Sequence, residues 1–184
     1  MKVAGIDVGL KFCKLAVIGD GLSYIGDYKK DELASVIAVG IDAPLSLPKT
    51  GMLRECEKKL LKLGIRLFPS GAPFFRPIVS RGMEIAEELR KEGIKVFEVY
   101  PYATRVFMGI APNAKKKTRR GLSEIRKEIG KFVKIPELTH DEIDAVISAL
   151  TVREFLLGRG FVLRGEDGEI ILPRGKELIS QEID

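Results

Sequence analysis

The sequence predicts an α/β layered domain, a mixed sheet flanked by helices, and three observations carry that prediction. The first 42 residues read as closely spaced strands; beyond them strand and helix patterns alternate; and the stretch "HDEIDAVISAL" becomes apolar nearly all round after its first turn. A chain of 184 residues with 45% hydrophobic content and no repeat or low-complexity segment fits a single compact domain spanning residues 1–184.

Taken in order, "KVAGIDVG", "FCKLAVI" and "LSYIGDY" form a three-strand antiparallel meander turned at Gly19-Asp20-Gly21. Residues 30–36 suit one short helix, because Leu33, Val36 and Ile37 repeat at helical spacing. "VIAVGIDAP" is almost continuously apolar, as a central strand covered on both faces should be. "MLRECEKKLLKLG" places Leu53, Cys56, Leu60 and Leu63 on one stripe and stops at Gly64. A loop "GAPFFRP", a helix over 77–92, a strand "IKVFEVYP", a helix over about 101–110, a basic loop and a helix through "LSEIRKEIGKF" lead to the acidic helix. "GFVLRGEDGEIILP" closes the pattern as an extra C-terminal hairpin turned at Asp167-Gly168.

The longest apolar runs are too short to cross a bilayer, and "MKVAGIDVGLK" enters a strand without a signal-peptide core, so a cytoplasmic protein without membrane attachment is expected. Cys13 and Cys56 lie outside any CxxC spacing and the chain has one histidine, which speaks against a zinc site or a disulfide framework. The net charge of +5 is compatible with a polyanionic partner without requiring one. A charged fraction of 31% with one asparagine and one glutamine matches proteins from hot environments.

Acids interrupt the apolar segments at matching places. Asp7 in "AGIDVG", Asp42 in "VGIDAP" and Glu98 in "VFEVYP" lie near the carboxyl ends of strands, where ligand sites of such sheets form. Thr139 and Glu142 read as a capping box, which leaves Asp144, one turn into a helix set to be buried, without a reason. Asp141 and Asp144, at i and i+3, face the same way. An oxygen-rich cage of this kind suits Mg2+ or Mn2+, and two such ions ~3.5–4 Å apart would serve an in-line phosphodiester displacement. Each acid alone is equally well a turn former or a helix cap.

These residues carry a resemblance. "GIDVGLKFCKLAV" resembles the first strand and turn of ribonuclease-H-like folds, and "HDEIDAVISAL" is similar to the Asp-x-x-Asp-Ala helix of the Holliday-junction resolvase branch. More closely, "GIDVG", "VGIDAPLSLP", "RECEKKLLKLGIRLFPS", "VFEVYP", "HDEIDAVISAL" and "GEIILP" follow the order of the domain of unknown function 429 family, predicted ribonuclease-H-like nucleases, over almost the whole chain. The resemblance implies a ribonuclease-H-like sheet in which Asp7 binds both metals, Asp42 ends the neighbouring fourth strand, and Asp144 with Asp141 as auxiliary completes the site. Glu98 belongs to the family's own "EVYP" motif rather than to the general nuclease pattern. Asp42 stands where relatives often carry Glu, and its shorter reach puts the second metal in doubt. His140 is either a proton carrier or a surface residue.

For nucleic acid, DNA or RNA, the candidate contacts are Lys11 in the first turn and Lys115, Lys116, Lys117, Arg119 and Arg120 in the basic loop, against a plain solvated loop. Arg54 and Arg81 are further candidates, as phosphate clamps. Phe74 and Phe75, beside Arg76, are read first as closing a core and second as stacking on splayed bases. A metal-dependent nuclease leads. A non-catalytic nucleic-acid-binding or assembly module of the same fold is the alternative, and an ATP-binding phosphotransferase of the actin and sugar-kinase type would need a second domain that this length does not provide. Oligomeric state stays open, a homodimer included.

Overall fold

The computed structural model describes residues 1–175. Five strands form one sheet: β1 (Val3–Val8), β2 (Cys13–Ile18), β3 (Leu22–Asp27), β4 (Ala38–Asp42) and β5 (Lys95–Glu98), in the spatial order β3-β2-β1-β4-β5. The meander β1-β2-β3 is antiparallel, while β4 and β5 join β1 in parallel. The parallel strands need helical crossovers. Between β4 and β5 the crossover carries α1 (Glu55–Lys62) and α2 (Arg76–Lys91), and α3 (Pro101–Met108), α4 (Arg119–Ile129) and α5 (His140–Leu156) follow β5. The hairpin of β6 (Gly160–Gly165) and β7 (Gly168–Pro173) packs its Leu163, Ile170 and Leu172 with Cys56 and Leu60 of α1 and Ala103 of α3. Both cysteines are free and buried. Among the described residues no helix is long and apolar enough to cross a membrane.

Strand alternation divides the sheet between two cores. Ala4, Ile6 and Val8 of β1, with Val39 and Ile41 of β4, face Ile85, Ala86 and Leu89 of α2. The opposite face receives α5, whose Ile143 to Val152 are buried on every side, the pattern of a helix enclosed within a core. Here the sheet presents Gly5 opposite Gly40. A Cβ on Gly5 would lie 2.1 Å from the Ala145 carbonyl oxygen, and one on Gly40 would lie 2.7 Å from Val152 Cγ2 and 2.9 Å from the Ser148 carbonyl oxygen. The two glycines therefore let the α5 backbone rest directly on the sheet.

Three local expectations are corrected. The short helix expected over 30–36 is a single 3-10 turn, Lys30–Leu33, because Ser35 takes a left-handed φ of 69° and Ile37 turns outward. The helix from residue 101 stops at Met108, where Gly109 adopts the left-handed cap. Phe74, expected to close a core, is 69% exposed and meets Phe68, 66% exposed, edge to face at 5.8 Å between ring centroids. In the connection from α1 to α2 the buried positions go to Ile65, Ser70 and Ala72, and these two rings stay outside.

Gly5→Ala is expected to cost about 3 kcal/mol or more in urea unfolding, because the methyl meets backbone that cannot yield without lifting α5. Gly21→Ala, which meets nothing within 4 Å, is the control and should shift stability by less than ~0.5 kcal/mol.

Candidate metal centre

Two residues beyond the glycine pair on the same face, Asp7 of β1 lies directly opposite Asp42 of β4. Helix α5 enters over this edge. Its cap is the expected one: Thr139 Oγ1 accepts from the Glu142 amide and Glu142 Oε2 accepts from the Thr139 amide at 2.8 Å. One turn further, Asp144 points at the two strand carboxylates, and oxygens of Asp7, Asp42 and Asp144 all lie within 4.8 Å of one another. Asp144 is buried, the strand acids half-buried.

Crowding three carboxylates out of water disfavours their charged forms. Burial, reinforced by Asp144 and Asp141, pushes Asp7 up to about 7. Asp42 is raised by burial and then by Asp144 and Asp7, and Asp144 is raised by burial against the opposing pull of Lys116. Among the described residues no donor hydrogen-bonds to the Asp7 or Asp42 side chain, while Asp144 receives one ion pair, from Lys116. Half-buried carboxylates without donors have the chemistry of a hard-cation site, so the residues present fit Mg2+ or Mn2+.

The other expected acids stand apart. Asp141, on the same side of α5, is half exposed and hydrogen-bonded to His140 Nδ1 at 2.5 Å, outside the group of three. Glu98 does not share the face of Asp7 and Asp42: it pairs with Ile41, not Asp42, and that one-residue offset turns its side chain to the opposite side of the sheet. There it is held by Arg54, with Nη1 donating to Oε2 at 2.7 Å and Nη2 to Oε1 at 2.5 Å, and it accepts from the Leu45 amide at 2.8 Å. Arg54 is 1% exposed and also bonds Ser46 and Glu57, so it is an internal counter-ion rather than a phosphate clamp. Arg81 donates to the Leu10 carbonyl at 2.9 Å and pins the β1–β2 turn.

The basic segment is split. Lys115, Lys117, Arg119 and Arg120 are exposed, as is Lys11, but Lys116 folds inward onto Asp144. Burial opposes its charge, yet the attraction and hydrogen bond of Asp144 outweigh that and raise its pKa. Sequence reasoning took Lys116 for one of a surface run. The sequence signal it missed elsewhere is the repeat Gly-Ile-Asp, at 5–7 and 40–42, which marks both the helix seat and the site.

A carboxyl group raised in the folded state stabilises the fold at low pH and loses that contribution as pH climbs through the raised value. For Asp7 the window runs from the ordinary 3.8 to about 7. Metal-free protein should therefore melt at lower temperature at pH 8.5 than at pH 5.5. Added Mg2+ should raise the midpoint more at the higher pH, because ligands must be deprotonated to bind. Thermal melts of the wild type and Asp144→Asn, which should lose most of the Mg2+ response, check both signs.

Comparison with known proteins bears on the fold and the family. Two structures of Thermus thermophilus RuvC superpose on the chain, the one in complex with a Holliday junction substrate with a TM-score of 0.55 and another with 0.51. Each shares 14% identity and covers 92% of this chain and 100% of the other, so the likeness is one of fold, the ribonuclease-H-like fold. No curated protein matches the sequence. The family described as "Protein of unknown function (DUF429)" matches residues 18–168, a span that contains Asp42 and Asp144, and the chain belongs to this family.

Proposed function

We propose that the protein is a metal-dependent nuclease that hydrolyses phosphodiester bonds of DNA or RNA. The observation that carries this reading is the convergence of Asp7, Asp42 and Asp144 within 4.8 Å at the strand ends, two of the three having no donor among the described residues. The fold shared with a protein seen on a Holliday junction supports nucleic acid as the ligand class.

Asp7, Asp42 and Asp144 would hold Mg2+ or Mn2+. The ion supplies Lewis-acid polarisation of a phosphoryl oxygen and a water of lowered pKa. The protein's own contribution is positioning. Asp7 and Asp42 are fixed by directly paired strands, and Asp144 by a capped helix seated on glycine. Lys115, Lys117, Arg119 and Arg120, flanking the inward Lys116, and Lys11 in the β1–β2 turn are exposed and would supply phosphate contacts. Phe68 and Phe74 expose ring surface, and Phe68 and Phe75 line a small cavity that Asp42 and Tyr100 also line, so these rings would be available to stack on unpaired bases.

The test is purified protein with Mg2+ or Mn2+ on single-stranded, duplex, hybrid and branched substrates. Asp7→Asn and Asp144→Asn should each lower cleavage by about 100-fold or more, the scale of losing one electrostatic stabiliser. Glu142→Gln should leave the rate near wild type and cost about 0.5–1 kcal/mol of stability through the cap. Cleavage that survives both aspartate substitutions refutes the assignment.

A further inference from the structure

Lys116 is built into the acidic centre rather than passing by it. The backbone that delivers it is clamped on both sides. Before it, the buried Arg105 donates from Nε to the Ile110 carbonyl at 3.1 Å and from Nη2 to the carbonyls of Ala111 and, at 3.0 Å, Ala114. After it, the Lys115 carbonyl accepts from the amide and the hydroxyl of Thr118, each at 3.0 Å, and lies so close to Gly121 that a Cβ there would sit 2.1 Å away. With both flanks fixed, the Lys116 ammonium meets Asp144, the most buried of the three acids.

Charge then limits what else the site takes. The nearby ionic groups outside the trio largely cancel: Arg105 and Asp141 contribute opposite signs, and Lys14, opposite Asp7 in the sheet, is paired with Asp27 at 2.7 Å. Three ionised carboxylates with Lys116 in place carry a net charge of minus two. One divalent ion neutralises that, whereas a second would leave excess positive charge in a site of low dielectric, where uncompensated charge is costly. We infer that the centre takes a single divalent cation and that the Lys116 ammonium is the second positive charge of the site. This rests on the metal reading above and replaces the two-ion arrangement with one ion and one lysine. The three aspartates would share the one ion, and Lys116, paired with Asp144, stays beside it as a fixed cation for a phosphate oxygen.

Mn2+ binding measures this without any reaction. Titration calorimetry and electron paramagnetic resonance at pH 8.5 should give one Mn2+ per chain for the wild type, for Lys116→Arg and for Lys117→Met, which removes the neighbouring exposed charge. Lys116→Met should admit a second Mn2+, seen as two equivalents and as a spectrum broadened by coupling between the ions. Two equivalents in the wild type, or one in Lys116→Met, overturns the inference. Wild-type protein that binds no Mn2+ overturns the metal centre with it. Protein that binds one Mn2+ yet cleaves no nucleic acid overturns the nuclease reading alone.

Discussion

The seat of α5 on the Gly5–Gly40 pair is the constraint on which the rest depends. A helix normally stands off a sheet by the thickness of the side chains between them, and at this crossing that layer is absent from the sheet side. The consequence is reach. Asp144, a short side chain in the second turn of a helix, meets aspartates two residues further along each strand because nothing lifts the helix away. Packing is also what makes the helix itself: with side chains buried on every face, its stability comes from this enclosure more than from intrinsic propensity.

Strand register then sorts the acids into two assemblies with opposite character. On the α5 face, the trio has three negative charges and one lysine. On the other face, the Glu98 carboxylate is gripped by both terminal nitrogens of Arg54, and Glu57 accepts from Arg54, Ser70 Oγ and the Ser70 amide. That second assembly ties the β4–α1 connection, α1 and β5 together, and its hydrogen bonds offset the desolvation that a buried ion pair incurs. It has no use for a ligand. The contrast is why the trio is the candidate site: both clusters are acidic and lie near the same strand ends, but among the described residues only the Glu98 cluster has donors enough for its carboxylates.

Much of this was legible in the sequence. The strand order of a meander followed by crossovers, the enclosed helix, the capping box and the acids of strands one and four all follow from periodicity and position. What failed did so for nameable reasons. Depth along a strand says how near an acid lies to the sheet edge, not which face it occupies, and Glu98 differs from Asp42 by one step of register. A run of basic residues reads as surface, yet the direction of Lys116 is decided by Arg105 and Gly121, contacts between segments that no local pattern encodes. Phenylalanine reads as core, yet Phe74 is exposed while the smaller Ser70 and Ala72 take the buried positions of the same connection, a choice no local pattern encodes.

The shortness of Asp42 acquires a meaning in this geometry. Where two strand acids sit side by side and the helix comes down onto the sheet, a glutamate would carry its carboxylate a methylene past the meeting point, into the space reached by Asp144 and Lys116. Aspartate keeps its oxygens level with those of Asp7. A compact trio of short acids with a clamped lysine on one side suits the single ion proposed for it. The glycine seat, the short side chain and the inward lysine therefore act together: each draws positive and negative groups nearer to one another at the strand ends.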